Sequence, residues 1–334
     1  MKARQMKLSL LVIIALIGLT GIGRYNADLL DAIGRTLCSD NALDISLCDN
    51  YTSKEASSTP ADQADSPPQA TKPWEPSWPE RVDSGLRVYF LDVGQGDATL
   101  IQTPAGENIL IDAGNNDKGD EVVAYLEHLG VKQIDVMIAT HPDADHIGGL
   151  DTVLEALEVK AVYAPKVSHT TNTYRDFLTA VKNEKLQIKT AKAGVALKLE
   201  DVKAHFVAPV GEYNDLNEWS AVLRLVYKDT VFLFTGDAET GSERDMLASG
   251  AALDADVLKV GHHGASKSSS APFLVEVKPT YAVISSAYGN SYGHPTQETL
   301  DRLSQVGATI YRTDLQGTIT AVSDGKRIEF RQAK

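Results

Sequence analysis

The spacing of apolar positions divides the chain into three stretches. A continuous apolar run from Leu8 to Ile22, "LSLLVIIALIGLTGI", stands behind Lys2, Arg4 and Lys7 and is closed by Arg24. It is shorter than the ~20 residues of a membrane-spanning helix, and its basic-then-apolar order is that of a targeting segment. Residues 1–24 are therefore read as an uncleaved signal anchor, with a cleaved signal peptide as the alternative. Basic residues ahead of the run place the rest of the chain outside the cytoplasm, in the periplasm or on the cell surface, held to the membrane if the anchor stays. Residues 25–84 form a linker; their second half, from Tyr51, is rich in Pro, Ser, Ala and Asp and has no apolar period.

Residues 85–334 read as one domain of alternating strand and helix patterns. "LRVYFLDV" and "ATLIQT" alternate as paired strands do, and "NILIDAG" is a short buried strand. "DEVVAYLEHLG" carries helical spacing at Val122, Leu126 and Leu129, with Gly130 as its stop. "LDTVLEALE", "TYRDFLTAVKNE", "GSERDMLAS" and "TQETLDRLSQ" are further helices; "DVMIATHP", "KAVYAPK", "VKAHFVAP", "SAVLRLVYKDTVFLFTGD", "DADVLKVGHH" and "PTYAVISSA" supply strands. Two runs of strands, each followed by helices, predict two packed sheets covered on both sides.

Composition narrows the chemistry. A net charge of −13 argues against a broad nucleic-acid-binding face, although bound cations could offset the carboxylates locally. Cys38 and Cys48, the two cysteines, lie far from the motifs below. They either pair in an oxidising compartment or stay free, and neither is a candidate nucleophile.

The candidate chemistry sits at strand ends. Asp112 ends "ILIDAG", and "IATHPDADHIGG" places His141, Asp143, Asp145 and His146 within six positions. Asp237 ends "VFLFTGD", His262 and His263 end "DVLKVGHH", and His294 follows "YAVISS". His141 and Asp143, two apart, can point the same way on an extended segment. A turn could aim Asp145 and His146 at a second ion, and Asp237 could bridge the pair. Two such metals clamp an oxyanion and generate hydroxide at neutral pH. The loop "DVGQGDAT" has two readings, a phosphate cradle built on Gly94 and Gly96 or a tight hairpin.

"VYFLDVGQGDATLI", "ILIDAG", "THPDADHIGG", "LFTGD", "LKVGHHGAS" and "YGHPT" together resemble the metallo-β-lactamase superfamily, and within it the extracytoplasmic hydrolase domain of ComEC-type DNA-uptake proteins. The resemblance covers about residues 86–334 and implies an α+β, αββα four-layer sandwich. It also implies a hydrolase using two divalent ions, Zn or Mn, on a phosphodiester such as single-stranded DNA. Alternatives are a phosphocholine-type cell-envelope esterase of the same fold and a non-catalytic module of an uptake apparatus.

Carried over by position, His141 and Asp143 would bind the first metal, Asp145 and His146 the second, and Asp237 both. His262 is expected as the last ligand of the second metal, with His294 as the alternative. His263 and His294 would contact substrate or protonate the leaving group, and Asp145 would join the catalytic set. Asp112 would orient a ligand histidine or cap a turn; Asp97 would stand near the cleft. Where the superfamily usually has a third first-metal histidine, this chain offers Asn217 and Ser220, expected to contact substrate together with Ser266. With Asp143, they predict an oxygen-rich first site that tolerates Mn²⁺.

Overall fold

The computed structural model describes residues 84–334. The anchor or signal segment, the linker, Cys38 and Cys48 lie outside the described residues. Strands β1 (Leu86–Phe90), β2 (Thr99–Gln102) and β3 (Asn108–Ile111) open the domain, followed by β4 (Gln133–Ile134), β5 (Val136–Ile138), β6 (Glu158–Val159), β7 (Val162–Ala164) and β8 (Ile188–Thr190). The second half holds β9 (Lys203–Ala208), β10 (Val222–Tyr227), β11 (Thr230–Phe234), β12 (Val257–Lys259), β13 (Tyr281–Ile284) and β14 (Thr309–Arg312). A hairpin of β15 (Ile319–Ser323) and β16 (Ile328–Gln332) closes it.

These strands make an eight-stranded sheet in the order β16-β15-β1-β2-β3-β5-β7-β8 and a six-stranded sheet in the order β14-β13-β12-β11-β10-β9; β4 and β6 form a small separate pair. One apolar core lies between the two large sheets, joining Val88, Phe90, Ile101 and Ile111 to Phe206, Leu223, Leu225 and Phe234. A second packs the outer face of the first sheet, through Leu100, Leu110 and Met137, against helices Gly119–His128, Leu150–Ala156 and Asn172–Asn183. A third packs the outer face of the second sheet, through Leu233, Leu258 and Ala282, against helices Thr240–Ser249, Ala271–Val277 and Gln297–Gln305. The order is therefore helix, sheet, sheet, helix. Burial on both faces explains why "TLIQ" and "VLK" are buried at every position, with no exposed alternation.

Each long helix predicted by apolar period is present, and Gly130 ends the first of them at φ 79°. The expectation of two successive strand runs needs one correction. The closing hairpin returns to the first sheet, where β15 pairs antiparallel with β1 from Leu86↔Ser323 to Phe90↔Ile319. Without it β1 would be an open sheet edge, a liability for a buried strand.

The topology also collects the chemistry. Strands β3 and β5 run parallel in one sheet, and β11, β12 and β13 run parallel in the other. Open α/β sheets bind ligands beyond the carboxyl ends of their strands. Asp112 follows β3, His141 follows β5, Asp237 follows β11, and His262 and His263 follow β12.

Candidate metal centre

The short helix Ala144–Ile147 turns the chain directly behind Asp143 and carries Asp145 and His146 inward. The Gly-rich loop braces this turn. Strands β1 and β2 pair antiparallel around it, so it is a hairpin connection. Gly96, at φ 135°, lies so close to Asp145 that a Cβ there would stand 2.3 Å from the Asp145 carbonyl. That proximity lets the Asp97 amide donate to the same carbonyl at 3.1 Å.

The cluster is centred on one oxygen. Asp237 Oδ2 lies 3.2 Å from His146 Nε2, 3.5 Å from His263 Nε2, 3.7 Å from His262 Nε2 and 4.0 Å from His141 Nε2. His263 Nε2 is also 3.3 Å from Asp145 Oδ2, and His141 Nε2 is 3.7 Å from Asp143 Oδ2. Ligands held at about 2.1 Å around a tetrahedral ion stand roughly 3.4 Å apart, the spacing seen here. Nε2 of His141, His146 and His263 and Oδ1 of Asp237 are buried and make no hydrogen bond. Four orphaned polar atoms within one buried cluster need a partner, and divalent cations fit this donor set. Among the described residues, His141, His146 and Asp237 form one group able to hold an ion, and Asp145, His146 and His263 form another.

Neighbouring groups hold these rings in place. Asp112, fully buried, lies 2.8 Å through Oδ2 from His146 Nδ1 and accepts from the Thr140 amide at 2.8 Å and the Thr140 hydroxyl at 2.6 Å. His263 Nδ1 donates to the Ser285 carbonyl at 3.0 Å, which leaves Nε2 as the free nitrogen. Asp112, His262 and His263 adopt left-handed φ of 57°, 46° and 52°. Such strain in non-glycine residues costs about 1–3 kcal/mol each and gathers at functional sites.

Charge is arranged around the same centre. Burial pulls the His263 imidazolium down, but Asp237 and Asp145 more than offset this and lift its pKa to about 10. His146 is likewise raised well above the ordinary value, Asp237 and Asp145 outweighing burial. Burial pushes Asp145 and Asp237 up, yet the histidines reverse this and hold both below the usual carboxylate range. An entering cation therefore competes with protons on His146 and His263, and its binding tightens as pH rises.

The structure rearranges several predicted roles. His262, adjacent to His263, is not its equivalent: its Nδ1 lies 2.9 Å from Glu239 Oε1, its side chain is 25% exposed, and it belongs to none of the ion-holding groups among the described residues. His263, expected at the substrate, occupies the buried position beside Asp145. The left-handed turn at both residues swings the second ring inward. Ser220 is fully buried, its hydroxyl accepting from the Asp237 amide at 3.0 Å, so it cannot contact substrate. Asn217 Nδ2 is 3.4 Å from His262 Nδ1. Neither fills a third first-site position, and the oxygen-rich reading rests on Asp143 alone. Ser266 is exposed, its carbonyl held by Arg302 at 2.9 Å, and no hydrogen bond or ion pair joins it to the cluster. His294 stands at the mouth, its ring 5.3 Å from that of His262, and burial next to His262 and His263 lowers its pKa. Asp97 lies behind the cluster, 3.3 Å from His263 Nδ1.

Sequence reasoning missed Glu239 and Lys259. Glu239 stands two residues past Asp237 in "TGDAET", and Lys259 interrupts the apolar run "DVLKV". A charge inside a buried strand is itself a signal, because it needs a partner.

The sequence profile described as the metallo-beta-lactamase superfamily matches residues 91–287. The chain belongs to the metallo-β-lactamase superfamily. Members of this superfamily are generally metal-dependent hydrolases, in keeping with the donor set. The chain is 32% identical over 256 residues to ComE operon protein 3 of Bacillus subtilis (strain 168), covering 71% of this chain and 33% of that protein. It is 33% identical over 245 residues to competence protein ComA of Neisseria gonorrhoeae, covering 72% and 33% respectively. Both are ComEC-type competence proteins, and the chain spans about a third of their length. Among solved structures, CmlA, a diiron beta-hydroxylase from Streptomyces venezuelae, superposes with a TM-score of 0.50 at 14% identity over 76% of this chain and 55% of that one. That likeness shows a shared fold alone. No helix of the described residues is long and apolar enough to cross a membrane.

Proposed function

We propose that this chain is a divalent-metal-dependent phosphodiesterase of the ComEC type, acting on single-stranded DNA outside the cytoplasm. The observation that carries the reading is the single carboxylate oxygen of Asp237 within 4.0 Å of four imidazole Nε2 atoms, three of them buried and unbonded. His141, Asp143 and Asp237 would hold one ion; Asp145, His146, His263 and Asp237 would hold the other. Zn²⁺ or Mn²⁺ bound there would neutralise phosphate charge and make water acidic enough to react near pH 7. The competence relatives support a nucleic-acid substrate, and the apolar segment behind basic residues supports an extracytoplasmic, membrane-anchored or secreted location.

The chain's own residues supply the rest. Asp112 and the Ser285 carbonyl hold the rear nitrogens of His146 and His263, so both rings present Nε2 to the centre. Glu239 holds His262 Nδ1 in the same way at 2.9 Å, but His262 is 25% exposed and faces the mouth. Burial lowers the His262 pKa and the Glu239 hydrogen bond outweighs it, so the net shift is upward. His262 Nε2 is thus the atom that delivers a proton to the departing oxygen, a role that sequence alone gives to His263 or His294.

Leaving-group dependence tests this. Glu239→Gln should lower kcat on single-stranded DNA by about 10²-fold, because its alkoxide leaving group needs a proton. On bis-p-nitrophenyl phosphate, whose leaving group departs unprotonated, the loss should stay below about tenfold. Equal losses on both substrates would contradict the proton-donor role and leave the metal centre standing.

A further inference from the structure

Lys259 ends β12 and is 2% exposed, behind the core residues Val257 and Leu258. A buried ammonium is costly unless it is paired and hydrogen-bonded. Its Nζ lies 2.7 Å from Asp97 Oδ2 and donates to the Val260 carbonyl at 3.0 Å. Asp97 is 4% exposed, and its other oxygen, Oδ1, makes no hydrogen bond. A second ligand-grade carboxylate therefore stands directly behind the cluster. Asp97 groups with Asp237 and His263, and separately with Asp112 and His146, with donor atoms within 4.8 Å of one another. Asp97 thus adds a carboxylate donor at the back of the cluster, opposite the front where the unbonded Nε2 atoms and Asp237 meet. The cation that stands against this rear carboxylate is Lys259.

We propose, resting on the reading that this cluster binds divalent ions, that Lys259 is a positioning residue of the metal centre. Its ammonium is a fixed internal cation that cancels the Asp97 charge and confines metal ions to the front of the cluster, where Asp143, Asp145 and the mouth lie. Asp97 is thereby reserved as a neutralised neighbour of His263, whose Nδ1 keeps its bond to the Ser285 carbonyl.

Variants of opposite charge should shift binding in opposite directions. Lys259→Met leaves Asp97 uncancelled, so the full chain should bind Mn²⁺ about tenfold more tightly or take up an additional ion. Asp97→Asn leaves the ammonium uncancelled and the shape unchanged, so Mn²⁺ should bind about tenfold more weakly. The double variant removes both charges and should return near the wild-type affinity. Packing damage would weaken binding in every variant and could not produce opposite signs.

The measurement is a Mn²⁺ titration of the full chain with the free ion counted by electron paramagnetic resonance, alongside thermal melting to confirm folding. Weaker or unchanged binding in folded Lys259→Met, or unchanged or tighter binding in Asp97→Asn, overturns the proposal. If Lys259→Met does not fold, the isosteric Asp97→Asn decides alone. Wild-type chain that binds neither Mn²⁺ nor Zn²⁺ overturns the metal reading and this proposal with it. Wild-type binding with unmoved variants overturns this proposal only.

Discussion

Asp237→Ala should abolish catalysis and divalent-ion binding together. Its carboxylate is the one group close to every histidine of the cluster, at 3.2 Å from His146 Nε2 and 3.5 Å from His263 Nε2. Both ion positions of the proposed centre draw on it, so its loss should not be confined to one of them. Removing it also leaves His146 and His263 without the charge that most strongly holds their protons. Metal ions supply several kcal/mol of charge stabilisation in such sites, so turnover should fall by about 10³-fold or more. Bound metal, read by elemental analysis after gel filtration, should fall in parallel. An Asp237→Ala chain that keeps its metal and most of its activity would show that the cluster is not the reaction centre.

The second large effect is expected at a residue that touches neither substrate nor metal. Asp112→Asn should weaken divalent-ion binding by about 10–100-fold, as loss of a carboxylate partner of a ligand histidine usually does. The amide oxygen of the variant could still accept from the Thr140 amide, but its NH₂ group would then face His146 Nδ1, which Asp112 now meets at 2.8 Å. His146 would lose both its orientation and the basicity that a charged partner lends. The change is isosteric, so the fold should survive and the loss should appear in a competition titration with a Zn²⁺ chelator. Wild-type affinity in this variant would reduce Asp112 to a residue that caps the turn after β3.

Much of this architecture is written in local pattern. Helices with a clear apolar period, such as Gly119–His128, and the strands ending at Asp112, His141 and Asp237 follow from sequence spacing alone. The return of β15 and β16 to the first sheet does not, because strand partners more than 200 residues apart leave no local trace. The site divides in the same way. The "THPDADH" turn announces its ligands, since four polar donors in seven residues have little other reason to follow a buried strand. Which histidine of the "HH" pair faces inward depends on consecutive left-handed φ values, which neither identity nor order encodes. Ser220 reads as available for substrate because it stands where the superfamily usually has a first-metal histidine, yet it lies fully buried and holds the Asp237 amide. Glu239 matters only through the hydrogen bond that the fold creates with His262.

The most direct test is turnover of single-stranded DNA by the full chain, stripped with chelator and then reconstituted with Mn²⁺ or Zn²⁺, beside His141→Ala treated alike. A metal centre at this cluster predicts no cleavage by the stripped chain, recovery on adding either ion, and none in His141→Ala. Cleavage that persists after stripping, or that His141→Ala retains in full, would contradict it.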